Sequence, residues 1–272
     1  MNTKNILLII SIVTGLSLFK AQEKWILESE FLSKADTVLV FKPDTYDQRT
    51  QYPLVYLLHG YSENYRQWSR TTDLQQLADQ YKAIIVCPDG FVTWYLNSPY
   101  DKGSRAEDFF FKKLVPEVHA RFNIDRKNIF ISGLSMGGYG AIRYFLLHQD
   151  YFNTAGSTSG AFSLDLKTLT NASFTFFKTK RIIRDLSHAL GVPTEWSQYS
   201  ISNLLKTYNT GKPFLIDCGT EDILYPATIE IKDQAERLKI PVTFISQPGD
   251  HNTEYWKKSV QYHFIFFKEH FK

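Results

Sequence analysis

The chain is poor in cysteine: Cys87 and Cys218 are the only two in 272 residues. Each sits within or at the end of an apolar run, so both read as separate core thiols rather than a disulfide. Neither offers the paired spacing of a metal site, and no H-E-x-x-H segment is present, so the sequence calls for no metal and no cofactor. Long runs of like charge, internal repeats and low-complexity tracts are also missing, which argues against a solenoid or a linker-joined array. Two nucleotide-binding loops fail on residue type. Tyr139 stands where a phosphate-binding loop needs lysine after Gly138, and no G-x-G-x-x-G follows the first strand-like run. Residues 6–19 are apolar, but about fourteen residues fall short of the roughly twenty that span a bilayer.

That run lies between Lys4 and Lys20-Ala21, the layout of a secretory signal with cleavage expected after Ala21. Residues 1–21 are therefore expected to be removed, leaving one domain over 22–272 in the periplasm or secreted, with no stable membrane insertion. The net charge of +3 loses two lysines with that segment and becomes +1, which gives no case for a nucleic-acid partner. With 43% hydrophobic residues the chain can build one large core. Oligomeric state is not legible.

Alternating positions in 27–41, clearest over Thr37 to Phe41, indicate an antiparallel strand before the turn Lys42-Pro43-Asp44. Residues 54–58, 83–87, 129–131 and 214–216 are short continuous apolar runs ended by turn residues, suited to strands buried on both faces of a parallel sheet. Helix-like segments at 72–81, 106–122, 137–148 and 227–238 separate them, and a strand at 242–245 and a helix at 254–271 close the chain. This alternation predicts an α/β architecture, a doubly wound and mostly parallel sheet with ligands at the carboxyl ends of its strands. Residues 162–212 break the pattern. They are read as an inserted helical cap, with helices at 177–190 and 199–208.

After the strand at 129–131 comes Gly133-Leu134-Ser135-Met136-Gly137-Gly138, a G-x-S-x-G between strand and helix. A serine there stands on a sharp turn with its hydroxyl above the sheet, and its flanking residues must be small because the chain passes close to its neighbours. A serine hydroxyl needs an imidazole as base, and the imidazole needs a carboxylate to orient it. On such an elbow the partners follow in the order acid, then histidine. His148, His263 and His270 lie on helices and His188 in the cap, whereas His251 sits in the loop Gln247-Pro248-Gly249-Asp250-His251 at a strand end. For the acid, Glu221 and Asp222 both lie past Gly219, where the chain can turn over the sheet edge; Asp222 is favoured and Glu221 competes. Two backbone donors for an oxyanion are expected at Met136, after the nucleophile, and at Tyr61 in His59-Gly60-Tyr61. His59 then belongs to the loop and is not the base.

Taken together, 52–60, 133–141, 218–222 and 248–251 resemble the esterase D group of α/β-hydrolases, over nearly the whole mature chain. That group includes acetyl, feruloyl and tributyrin esterases, S-formylglutathione hydrolases and mycolyltransferases. The resemblance implies the α/β-hydrolase fold and carries nucleophile, acid and base onto Ser135, Asp222 and His251. It also implies that the loop Thr93-Trp94-Tyr95-Leu96-Asn97-Ser98 borders the substrate, so Trp94 and Tyr95 are expected binding residues. Asn97 stands where the group has an acidic residue, and Thr253 where an aromatic is usual. The expected activity is hydrolysis of short-chain, acetyl-type esters, small or glycan-linked, through an acyl-serine. Feruloyl ester cleavage, acyl transfer to an alcohol, and an inactive glycan-binding module on the same scaffold are the alternatives.

Overall fold

Alternate side chains along one strand explain the unbroken apolar runs. Within Tyr52–Leu58, Leu54, Tyr56 and Leu58 enter one layer of core, while Val55 and Leu57 enter the other. Both faces are covered, so no position is left for a polar residue. The computed structural model describes residues 22–208 and 211–272. The expected signal segment, 1–21, lies outside them.

The strands are β1 (Gln22–Leu27), β2 (Asp36–Phe41), β3 (Tyr52–Leu58), β4 (Ile84–Cys87), β5 (Ile124–Gly133), β6 (Thr154–Thr158), β7 (Phe214–Gly219) and β8 (Val242–Gln247). They form one sheet in the order β1-β2-β4-β3-β5-β6-β7-β8. The β1–β2 and β2–β4 pairs are antiparallel, and every pair from β4 to β8 is parallel. The chain steps from β3 outward to β4, then crosses back to β5 on the other side of β3. That reversal opens a crevice at the carboxyl ends of β3 and β5.

The helices are α1 (Gln67–Thr71), α2 (Leu74–Tyr81), α3 (Ala106–Phe109), α4 (Val115–Arg121), α5 (Met136–Leu147), α6 (Leu166–Phe177), α7 (Arg181–Leu190), α8 (Ile201–Thr207), α9 (Tyr225–Arg237) and α10 (Thr253–Glu269). Leu74 and Leu77 of α2 and Val260 and Phe264 of α10 share a core with Val55 and Leu57, while α3, α4, α5 and α9 cover the opposite face. The helix expected at 106–122 is interrupted by a π-helical turn, Phe110–Leu114, just before Pro116. Proline lacks the N–H that would continue the α-helical ladder, and the wider turn absorbs the break.

Two strands escape the sequence reading. The first, β1, pairs as a hairpin with β2, and β6 is Thr-Ala-Gly-Ser-Thr, buried throughout yet without an apolar run. In the cap the helix expected at 177–190 begins only at Arg181. Before it runs α6, started by the Asp165 side chain accepting from the Thr168 amide at 2.9 Å and ended by Lys178 in the left-handed region. Cys87 and Cys218 are both free and buried, and burial raises both thiols.

Behind the crevice lies a fully buried polar cluster. Asp217 on β7 accepts from Thr158 on β6 at 2.8 Å, from Ser259 on α10 at 2.8 Å and from His263 Nε2 at 2.6 Å. The far nitrogen of His263 meets Ser132 Oγ on β5 at 2.6 Å. This second Ser-His-Asp arrangement is sealed, with Ser132, His263 and Asp217 each 0% exposed, so it joins four elements and meets no substrate. Asp217→Ala leaves these donors buried without an acceptor and is expected to destabilise the fold by about 3 kcal/mol or more. Urea unfolding reads this as a lower midpoint at unchanged slope; an unchanged midpoint contradicts it.

Candidate active site

Ser135 follows β5 and caps the start of α5 with φ +54° and ψ −118°, a conformation that residues with a side chain avoid. Its backbone is held from both ends. The N–H donates to Thr158 O at 3.0 Å, and the carbonyl accepts from Tyr139 N at 3.0 Å and Ala161 N at 3.1 Å. A Cβ on Gly133 would lie 2.2 Å from Gly137 O, and one on Gly137 2.2 Å from Leu58 O, so nothing larger than glycine fits at either position. The serine hydroxyl is thereby turned out over the crevice.

His251 Nε2 lies 3.1 Å from Ser135 Oγ, and His251 Nδ1 2.8 Å from Asp222 Oδ2. The three expected residues are brought together from the ends of β5, β7 and β8. Asp222 Oδ1 accepts from the Leu224 amide at 2.8 Å. Burial alone would raise the Asp222 carboxyl, but its hydrogen bond and attraction to His251, with the Leu224 amide behind them, hold it below the ordinary aspartate value. Glu221 is exposed and contributes only its amide, which donates to Gly249 O at 3.0 Å and pins the two loops together. The imidazole is confined by Trp256 edge-on at 5.1 Å and by Phe176 of the cap at 4.6 Å.

The loop after β3 is pinned at Gly60. Gly60 N–H donates to Gln67 Oε1 at 2.7 Å. His59 Nε2 accepts from Gly90 N at 2.6 Å, which leaves the ring proton on Nδ1 to be donated to Gly60 O at 2.8 Å. His59 is buried and serves the loop, as expected. The amides of Tyr61 and Met136 have no acceptor among the described residues; Met136 follows Ser135 in the chain, and Tyr61 lines the same cavity as Ser135. Gln67 was not legible in the sequence. Nothing local distinguishes it from any other polar residue on a short helix.

Above Ser135 and His251 is a cavity of about 280 Å³ walled by Tyr61, Trp94, Phe162, Phe176, Phe177 and Trp256. Trp94 lines this cavity. Tyr95 does not: it is buried beneath the loop, its hydroxyl donating to His59 O at 3.0 Å and its ring against Tyr144 at 6.2 Å. Tyr95 therefore shapes the loop and does not line the cavity. Asn97 Oδ1 accepts from the Asp108 amide at 3.0 Å and so serves α3, whereas Thr253 reaches the cavity wall. Among the described residues no three His, Cys, Asp or Glu converge to hold a metal, and no helix is long and apolar enough to cross a membrane.

Residues 29–267 match the family described as "Putative esterase". The chain is 26% identical over 247 residues to an acetyl esterase of Caldicellulosiruptor saccharolyticus, covering 85% of this chain and 92% of that protein. Among solved structures it is similar to FphF, a fluorophosphonate-binding serine hydrolase of Staphylococcus aureus, at 25% identity and TM-score 0.77, over 91% of this chain and 98% of that one. A ferulic acid esterase shares the fold, with TM-score 0.75, 23% identity and coverage of 92% and 98%.

The lowered Asp222 carboxyl has a stability consequence. A carboxyl whose folded value lies below its unfolded one of about 3.9 stabilises the fold above that pH, and the contribution is lost as pH falls through the folded value. The stability difference between wild type and Asp222→Asn, measured by urea unfolding, is expected to shrink as the pH is lowered below about 4. A difference that widens there contradicts the assignment.

Proposed function

The chain belongs to the esterase family, has the α/β-hydrolase fold and is a serine hydrolase of carboxylic esters; from that premise we propose that it cleaves short-chain, acetyl-type esters through an acyl-serine on Ser135. The observation that carries this reading is the unbroken hydrogen-bond chain from Ser135 through His251 to Asp222.

In this mechanism His251 Nε2 takes the Ser135 proton as Oγ attacks the ester carbonyl. Asp222 accepts from Nδ1–H, which fixes the tautomer and stabilises the imidazolium that forms. The amides of Tyr61 and Met136 receive the oxyanion; such donors are worth on the order of 100-fold to 1,000-fold each in rate. His251 then protonates the leaving alkoxide, and water, activated by the same imidazole, releases the acid and restores Ser135.

Short acyl groups are supported by the relative named acetyl esterase and by the cavity of about 280 Å³. A second reading, cleavage of aromatic acyl esters of the feruloyl type, is favoured by the aromatic wall formed by Trp94, Phe162, Phe176, Phe177 and Trp256. Export to the periplasm or medium is proposed from the charged and apolar layout of residues 1–21.

Ser135→Ala is expected to lower turnover of p-nitrophenyl acetate by about 10⁶-fold and Asp222→Asn by about 10⁴-fold. Fluorophosphonate labelling should vanish in the first variant. Retained turnover in Ser135→Ala refutes the mechanism. A panel of acetyl, butyryl and feruloyl esters decides the acyl group, and a preference for feruloyl esters selects the second reading. Mass spectrometry of the exported protein is expected to give Gln22 as its first residue; an intact Met1 overturns the export assignment.

A further inference from the structure

Tyr61 belongs to two layers at once. It lines the cavity together with Ser135, while its hydroxyl reaches α7 in the cap. The phenol hydroxyl donates to Asp185 Oδ2 on α7, 124 residues later in the chain. Arg181, one helical turn before Asp185, places its guanidinium 5.3 Å from the Tyr61 ring and 4.9 Å from that of Phe177. Phe177 and Trp94 meet the same ring at 5.4 Å and 6.2 Å, and Tyr61 is only 9% exposed. Burial, followed by the Asp185 carboxylate, pushes the Tyr61 hydroxyl up to about 12, so it remains a donor at ordinary pH.

The other carboxylate oxygen, Asp185 Oδ1, accepts from the exposed Arg184 Nε at 3.0 Å. The end of α7 is tied to the Trp94 loop, since Ser98 Oγ donates to Ala189 O at 2.6 Å. Beneath Tyr61, Gln67 and His59 occupy the N–H and carbonyl of Gly60, and beyond it Ser62 takes a left-handed turn with φ +62°. The direction of the Tyr61 amide thus has supports below, from the loop, and above, through its ring.

We propose that Asp185 is a positioning residue for ester hydrolysis: by gripping the Tyr61 hydroxyl from the cap, it aims the Tyr61 amide at the oxyanion. Helix α7 then acts on the chemical step as well as roofing the cavity. The inference rests on the reading of the Tyr61 amide as an oxyanion donor. An interaction that tightens only as charge develops on the carbonyl oxygen appears in kcat and leaves KM nearly unchanged.

The test is a double-mutant cycle on p-nitrophenyl acetate, with Asp185→Ala, Tyr61→Phe and the pair together. Active sites are titrated with a fluorophosphonate, and assays are run well below each melting temperature. Each single variant is expected to lower kcat per titrated site by about 10-fold with KM within about twofold, and the double to be no worse than either, because both remove one shared bond. Asp185→Asn, whose amide oxygen can accept the same bond, is expected to restore most of kcat. A role in stability alone lowers the melting temperature and the titratable fraction but leaves kcat per site intact, and that result overturns the proposal. So do losses that multiply in the double variant. If Ser135→Ala is inactive while Asp185→Ala matches wild type, only this inference fails; if Ser135→Ala stays active, the mechanism beneath it fails first.

Discussion

Everything at the crevice depends on the backbone of one residue, Ser135, held at φ +54° and ψ −118° between β5 and α5. Such a conformation costs on the order of 1–3 kcal/mol and persists only where its surroundings over-determine it. Here they do: the Ser135 N–H and carbonyl are both bonded, to Thr158, Tyr139 and Ala161, and the chain on either side is pressed against backbone at Gly133 and Gly137. The strain has a geometric return. It brings the hydroxyl to the start of α5, where the helix dipole favours negative charge and the Met136 amide has no acceptor among the described residues.

Two different kinds of packing hold the residues that meet Ser135. Behind the crevice the sealed cluster around Asp217 ties β5, β6, β7 and α10 together with hydrogen bonds of 2.6–2.8 Å. Ser135 follows β5, Asp222 follows β7 and His251 precedes α10, so that cluster sets the spacing of the elements from which the three residues extend. In front, the contacts are mostly aromatic. Phe176 covers one side of His251, Phe177 and Trp94 meet Tyr61, and Trp256 closes the wall while its Nε1 donates to Ser159 Oγ at 3.2 Å. Polar bonds are directional and fix register; aromatic surfaces exclude water while leaving a space between them.

How much of this was legible follows the range of the interaction. Gly133-Leu134-Ser135-Met136-Gly137 announces a strand, a turn and a helix within a few residues, and the position of His251 after an apolar run marks it as a loop histidine at a strand end. Strand β6 left no such trace: Thr154–Thr158 is buried because β5 and β7 flank it, a condition its own residues do not encode. Tyr95 shows the limit of reasoning from a neighbour. It adjoins Trp94 in sequence, yet both have φ near +55°, and Tyr95 ends under the loop against Tyr144 while Trp94 faces the cavity.

The sequence by itself determined the alternation of strands and helices, the elbow at Ser135 and the chain order of serine, acid and histidine, because each is written in short-range residue chemistry. Only the tertiary structure set the Asp222 carboxylate against His251 Nδ1, enclosed Asp217 with His263, gave Gln67 to Gly60 and brought Asp185 to Tyr61. Those choices depend on which side chains the sheet order and the cap bring within about 3 Å of one another. Residues as far apart as 61 and 185 carry no local pattern that pairs them.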